Sequence, residues 1–389
     1  MVSNIPSYFQ INDNRKFNDF NHKTFSNYAK RDVYLAFKKA LMDGLIETAC
    51  NWATELLVTG LIEKIYEVFI YVVTKHIHIN NPKLPYRLYR RYNFYLGLFK
   101  YIHDVVFKND KTKVKEVYLL LRNFQPIRNH ISELCVIIAR SPKTVKGLVL
   151  TSIKDNEYSS EYIKRQLKAG NLNYIESIKK YGDTNEAIIL MNDFYYAILN
   201  SNYKHAVYTL SWILGYEKLL IKKEKEYSCG RRNVSNIEEH FKEDFIWIPW
   251  AIISKEMDKL DTDMKMQIQA LFKMFKFEYH PSKKSKRISL LLHCIKYITD
   301  FYSINTPIIN NYKLLIQATC NINNLFHNLK GYEITDSFKY SKAAAVKSKN
   351  KLKKKSVVKI SKLDEIDTQI INSSIHKNNQ KFNSIINNI

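Results

Sequence analysis

Apolar residues recur every three or four positions along most of the chain, the spacing that gathers them on one face of an α-helix. Val33, Phe37 and Leu41 form the first such stripe, and comparable stripes follow with few interruptions. The pattern predicts an all-α fold with two helical blocks, the first over 31–145 and the second over 186–335.

Glycine and proline separate the predicted helices. Gly44 and Gly60 follow the first two stripes, as glycines do at helix C-termini. Pro82 ends the third helix, because the residue before a proline disfavours the α region. Pro126 is predicted to lie between two helices. Beyond the first two, the predicted helices are 61–73, 86–106, 114–121, 130–138 and 160–167. The strongest predicted helices of the second block are 187–199, 205–222, 245–257, 264–275 and 288–301.

Three further segments complete the predicted organisation. Residues 1–30 are polar and rich in asparagine, which predicts an N-terminal arm. Residues 146–185 have weak periodicity and three glycines, which predicts a connecting region with one short helix. Residues 336–389 contain too few apolar positions for a core and are predicted to form a disordered tail. Ten lysines and no acidic residue lie between Lys339 and Lys362.

Composition agrees with long helices and indicates the cellular compartment. Only 9 glycines and 8 prolines occur in 389 residues, whereas sheet-rich folds need many more for their tight turns. The five cysteines form no CxxC pair, which predicts buried thiols in a reducing compartment. No signal-peptide core is present, and no apolar run approaches the roughly 18 residues of a membrane span. We therefore expect a protein of the cytosol or nucleus with no membrane partner.

The formal net charge of +24 favours a polyanionic partner, above all nucleic acid. A second explanation stays open, because Lys, Asn, Ile, Tyr and Phe together are typical of an AT-rich genome. Only 12 of the 61 basic residues are arginine. Codon bias could therefore supply part of the charge, on a surface that is merely solvated.

The lysine tail is the clearest predicted nucleic-acid contact, because clustered ammonium groups release counterions from a phosphate backbone. A nuclear-localisation signal and a solubilising tail are the alternatives. Arg87, Arg90 and Arg91 are the second candidate, since they lie at helical spacing among tyrosines at 86, 89 and 92. An ordinary amphipathic helix with half-buried tyrosines is the alternative, and it explains that pattern slightly better. The candidate tail residues are Lys347, Lys349, Lys351, Lys353, Lys354 and Lys355.

Other chemical candidates have simpler interpretations. His76 and His78 are two positions apart, so they do not share a helix face, and helix-end contacts explain them better than a metal site. Cys229 precedes two arginines that could lower the pKa of its thiol, although a lone cysteine in a turn is usually unreactive. The aromatic run 245–250 contains Pro249, which predicts core packing at a helix bend rather than a partner-binding site.

The sequence contains no phosphate loop, no GxGxxG, and no HExxH or GxSxG motif. It therefore assigns no catalytic residue, cofactor, metal or small-molecule substrate. A nuclease built from a few dispersed acids and a lysine stays open as an alternative.

The segment from Phe37 to Pro85 has a distinctive set of residues: Ala40-Leu41, Asp43, Ala49-Cys50, Trp52-Ala53, Glu55-Leu56, Gly60, Lys75-His76-Ile77-His78 and Asn81-Pro82-Lys83-Leu84-Pro85. At these positions the chain resembles an uncharacterised helical protein family of large nucleocytoplasmic DNA viruses, and weaker similarity extends over about 35–255. The same segment is more distantly similar to the collar domain of clamp-loader-related AAA+ ATPases, whose ATPase module is missing here and whose acidic pair is replaced by Lys75-His76.

The resemblance implies a viral, non-enzymatic accessory or assembly factor in genome replication or expression. We expect sequence-independent binding of DNA or RNA, and a protein partner or a second copy of the chain is a further candidate. The host cytoplasm and the nucleus are the expected locations. The alternative is a structural protein packaged in the virion.

Overall fold

Helices account for the regular structure of the chain. The computed structural model describes residues 9–223 and 229–330, and within these two ranges it contains thirteen α-helices and no β-strand. The predicted all-α fold class is confirmed. The helices are α1 (Lys30–Met42), α2 (Ile46–Val58), α3 (Ile62–Val72), α4 (Leu84–Tyr101), α5 (Val114–Leu121), α6 (Gln125–Arg140), α7 (Ser160–Gln166), α8 (Asn185–Leu199), α9 (Tyr203–Lys222), α10 (Trp247–Met257), α11 (Thr262–Lys276), α12 (Pro281–Thr299) and α13 (Tyr312–Lys330).

The apolar stripes and glycine stops of the first helices are confirmed. Val33, Phe37 and Leu41 of α1 are buried. Gly44 and Gly60 follow α1 and α2 with φ of 73° and 79°. A side chain is strained at such positive φ values, so glycine suits these two C-terminal turns.

Three predicted helix boundaries differ from the structure. Pro126 lies in the first turn of α6 instead of between helices, because the first N–H groups of a helix need no intrahelical acceptor. Helix α12 begins at Pro281, seven residues early, with two polar turns that hide its periodicity. The predicted helix 86–106 ends as α4 at Tyr101 and continues as a π-helical turn to Val106.

The helices of the two predicted blocks share one hydrophobic core, and all described residues belong to one compact unit. Three hydrogen bonds, two of them buried, join the blocks directly. Tyr297 Oη donates to the carbonyl of Pro82 at 2.7 Å. The hydroxyls of Thr74 and Ser289 lie 2.7 Å apart, and the N–H of Tyr86 donates to Gln267 at 2.9 Å. Helix α11 consequently packs along α4, which matters for the site below.

The described part of the polar N-terminal segment packs on the helices. Phe20 and Phe25 are fully buried, and the N–H of Ser26 donates to the carboxylate of Glu55 at 2.7 Å. The few apolar residues of this segment gave no periodic signal. The predicted lysine tail, with all six of its candidate lysines, lies outside the described residues.

Within the described ranges, no helix combines the length and apolar character that a membrane crossing requires.

Candidate nucleic-acid interface

Two of the three predicted arginines bind a carboxylate inside the protein. Arg87 Nε and Arg91 Nε donate to the two oxygens of Glu133, at 2.8 and 2.7 Å. Glu133 is only 4% exposed and lies on α6, so this fork fixes α4 against α6. Arg91 also contacts His130 Nε2, and burial together with the arginine charges lowers the pKa of this imidazole well below its ordinary value.

Arg90 faces outward instead. Its side chain is exposed, and the guanidinium carbon lies 5.9 Å from the ring centroid of Tyr86. Proteins that bind single strands combine basic side chains, which contact phosphates, with aromatic side chains, on which bases stack. Of the predicted arginine group, Arg90 is therefore the member placed to contact a ligand.

Helix α11 extends this surface with two lysines. Lys273 Nζ lies 5.4 Å from the ring centroid of Tyr89 on α4, and Lys276 Nζ lies 5.5 Å from that of Phe272. Cations and half-buried rings thus alternate across two packed helices. We call this surface the α4–α11 strip, formed by Tyr86, Tyr89, Arg90, Phe272, Lys273 and Lys276.

The two helices of the strip supply almost no negative charge. Helix α4 contains no acidic residue, and α11 contains none after Asp263. Burial lowers the pKa of Lys276, and the charge of Lys273 lowers it further. Two neighbouring ammonium groups that repel each other in this way gain stability from an anion, which is what a phosphate backbone supplies.

The aromatic run 245–250 supports the strip from within. Trp247 and Trp250 are each 1% exposed, which confirms the prediction of core packing. The ring of Trp250 lies 4.9 Å from that of Phe272, directly beneath the strip. Pro249 lies in the first turn of α10 rather than at a bend within a helix.

A basic cavity continues from the end of the strip. Lys276 Nζ contacts the Ser235 hydroxyl at 2.8 Å, and Ser235 follows the segment that lines a cavity of about 240 Å³. Three of its four lining residues are cationic. We call it the arginine cavity, lined by Arg231, Arg232, Asn233 and Lys242.

The arginine cavity has one cation held by a buried carboxylate and two that share an exposed carboxylate. Arg232 is buried and pairs with Asp183, with Nη2 donating to Oδ2 at 2.7 Å. Arg231 and Lys242 both pair with Glu239, whose side chain is 63% exposed. The cavity thus brings three cations together against two carboxylates.

Cys229 lies beside this cavity but is not activated. Its side chain is buried, and burial raises the pKa of the thiol to about 12 although Arg232 acts in the opposite direction. The interpretation as an unreactive cysteine fits this environment.

His76 and His78 bind a loop. His76 Nδ1 lies 3.2 Å from the carbonyl oxygen of Thr144, and His78 Nε2 lies 3.2 Å from the hydroxyl of the same threonine. Burial lowers the pKa of His78 to about 4. Across 9–223 and 229–330, no three His, Cys, Asp or Glu side chains are grouped closely enough to hold a metal ion.

A buried charge cluster was missed from the sequence. Lys284 Nζ contacts Glu217 at 2.6 Å and Asp244 at 2.8 Å, and Tyr279 Oη donates to Asp244 at 2.6 Å. These residue types could serve a nuclease, but the two carboxylates are almost fully buried and already bound to the lysine. The cluster joins α9 to α12 and to the segment just before α10.

Sequence reasoning also missed Lys273, Lys276 and the cavity lysine. Their positions alone resemble a solvated helix face. The absence of acidic residues from 84–101 and 264–276 is the signal that could have drawn attention to both helices.

Comparison of the chain with protein-family models, with curated proteins and with solved structures gives no match in any of the three.

Proposed function

We propose that this protein is a non-enzymatic nucleic-acid-binding accessory factor that holds phosphate backbones without sequence preference. The observation that carries the proposal is the α4–α11 strip. There Arg90, Lys273 and Lys276 each lie over an aromatic ring, on two helices nearly free of acids.

The distribution of charge supports a role for the folded helices as well as the tail. Residues 331–389 contain 12 lysines and five acidic residues, a surplus of +7. The whole chain carries +24, so 1–330 carry +17. Most of the net positive charge therefore lies in residues 1–330, which contain the strip, and the lysine tail adds to it.

The strip suits a single strand or an exposed backbone better than a base-reading groove. Arginine and lysine above tyrosine or phenylalanine provide charge and a stacking surface, and both act on any sequence. The wider proposal, taken from the viral resemblance, is a role in replication or expression of a viral genome in the host cytoplasm or nucleus. A structural protein of the virion is the alternative, and its copy number in purified particles distinguishes the two.

The test is fluorescence anisotropy with labelled DNA and RNA across a salt series. The triple variant R90Q/K273Q/K276Q removes the three cations of the strip. The matched control K39Q/K64Q/K113Q removes the same charge from exposed lysines that are each paired with a carboxylate.

If the strip contacts three phosphates of a single strand, the slope of log K against log salt falls by up to about 2.1 in the strip variant. The control is expected to change the slope far less. Truncation after Tyr332 measures the share of the tail. No binding by the full chain at low salt refutes the proposal, and equal losses in the two triple variants refute the assignment to the strip. Incubation of DNA with Mg²⁺ or Mn²⁺ tests the nuclease alternative.

A further inference from the structure

The two segments that line the arginine cavity are joined by backbone hydrogen bonds. The N–H of Arg232 donates to the carbonyl of Lys242 at 3.1 Å, and the N–H of Cys229 donates to the carbonyl of Glu243 at 2.9 Å. The two segments that carry the cations are therefore bound to each other. A site that is organised before its ligand arrives loses little entropy on binding.

Arg232 is the cation of the cavity that is held in a fixed position. Asp183 accepts from its guanidinium and also from the N–H groups of Gly230 and Lys180, at 2.9 and 2.7 Å. These bonds occupy the carboxylate, so it has little capacity left to neutralise the cavity. Arg232 Nε is buried, and no acceptor among the described residues lies within hydrogen-bonding reach of it.

Arg231 and Lys242 are held only by a carboxylate that an anion can displace. Both pair with Glu239, and the side chains of Arg231, Lys242 and Glu239 are 56%, 14% and 63% exposed. Exposed ion pairs of this kind contribute little to stability. A phosphate that replaces Glu239 would pair with both cations. Its oxygens can accept two parallel hydrogen bonds from the guanidinium of Arg231.

We propose that the arginine cavity binds the terminal phosphate of a nucleic-acid strand whose backbone lies along the α4–α11 strip. This inference rests on the proposed function. The cavity lies next to the strip, because Lys276 of the strip contacts Ser235, two residues after the lining residue Asn233. Its volume of about 240 Å³ is large enough for the end of a strand. A terminal phosphate carries about −1.5 to −2 at neutral pH, against −1 for each internal phosphodiester, so three converging cations favour the end.

The test uses the full chain and one single-stranded oligonucleotide made with a 5′-phosphate, a 3′-phosphate or hydroxyls at both ends. We expect one phosphorylated form to bind about tenfold more tightly than the hydroxyl form. Inorganic phosphate should abolish that preference, leaving affinity at the hydroxyl level. The preference should also weaken below about pH 6, where the terminal phosphate takes up a proton.

Three variants assign the preference to the cavity. R231Q and K242Q should remove it, whereas E239Q should strengthen it by removing the competing carboxylate. An increase in E239Q is not expected of residues that merely hold the loop. R90Q/K273Q/K276Q should weaken all three oligonucleotides alike.

Equal binding of the three oligonucleotides by the unmodified protein overturns the inference, as does a preference that persists in R231Q and K242Q. In both cases the proposed function stands if binding remains salt-dependent and sensitive to the strip variant. Absence of binding to every oligonucleotide at low salt overturns both proposals.

Discussion

Glu217→Gln is expected to stabilise the protein at pH 8 and to leave its stability almost unchanged near pH 4.5. Glu217 and Asp244 share the single ammonium of Lys284. Two buried carboxylates against one cation leave an excess negative charge. Glutamine keeps the shape of the side chain, accepts from Lys284 and can donate to Asp244.

The magnitude follows from the protonation of Glu217. Burial and the charge of Asp244 raise the pKa of this carboxyl from 4.5 to about 7, although Lys284 opposes the shift. Between these two values the folded protein holds a proton that the unfolded chain releases. Stability therefore falls as pH rises through this window and levels off above it. At about 1.4 kcal/mol for each pKa unit, the cost of the charged carboxylate at pH 8 is at most about 3 kcal/mol.

Urea unfolding followed by helical circular dichroism at pH 4.5 and pH 8 measures the effect. We expect the midpoint of E217Q to exceed that of the unmodified protein at pH 8 and to match it at pH 4.5. E116Q removes a carboxylate from an exposed pair with Lys113 and serves as the control, with little change at either pH. If E217Q is instead less stable by the same amount at both pH values, the excess-charge argument is refuted.

Two further predictions follow from other buried groups. Glu133→Gln leaves Arg87 and Arg91 without their shared carboxylate, so we expect the free energy of unfolding to fall by about 3 kcal/mol. The loss is measured as a lower urea midpoint, and an unchanged midpoint would show that these ion pairs do not hold α4 on α6. Cys320 is exposed and should be the first thiol to react with a disulfide reagent in the folded protein, whereas Cys229 should react only on unfolding; rapid labelling of Cys229 would contradict its burial.

Periodicity predicted most helices because each buries an apolar stripe that the sequence displays directly. It failed where polarity hides a helix, as in the first two turns of α12, from Pro281 to Arg287. The division of roles between Arg87 and Arg90 could not be predicted, because Glu133 lies more than 40 positions away along the chain. Helical spacing places arginines on a face, but only tertiary packing shows which of them meets a carboxylate.

The same limit applies to the strip and the cavity. Lys273 belongs to the strip because it contacts Tyr89 on another helix, and no local sequence pattern predicts such a contact. Arg231 and Arg232 are visible as a pair in the sequence, yet their convergence with Lys242 depends on the backbone bonds between two segments.

The arginines also bear on the question of codon bias. Arginine makes up only 12 of the 61 basic residues, and eight of the twelve form hydrogen bonds or ion pairs within the described residues. Most arginines in this lysine-rich chain thus lie where the planar guanidinium donates to an oxygen. Arg90 is an exposed exception, and it lies over Tyr86 with no acidic residue on its helix. Codon bias explains a surplus of lysine, and the proposed contact with a phosphate backbone accounts for an exposed arginine at this position.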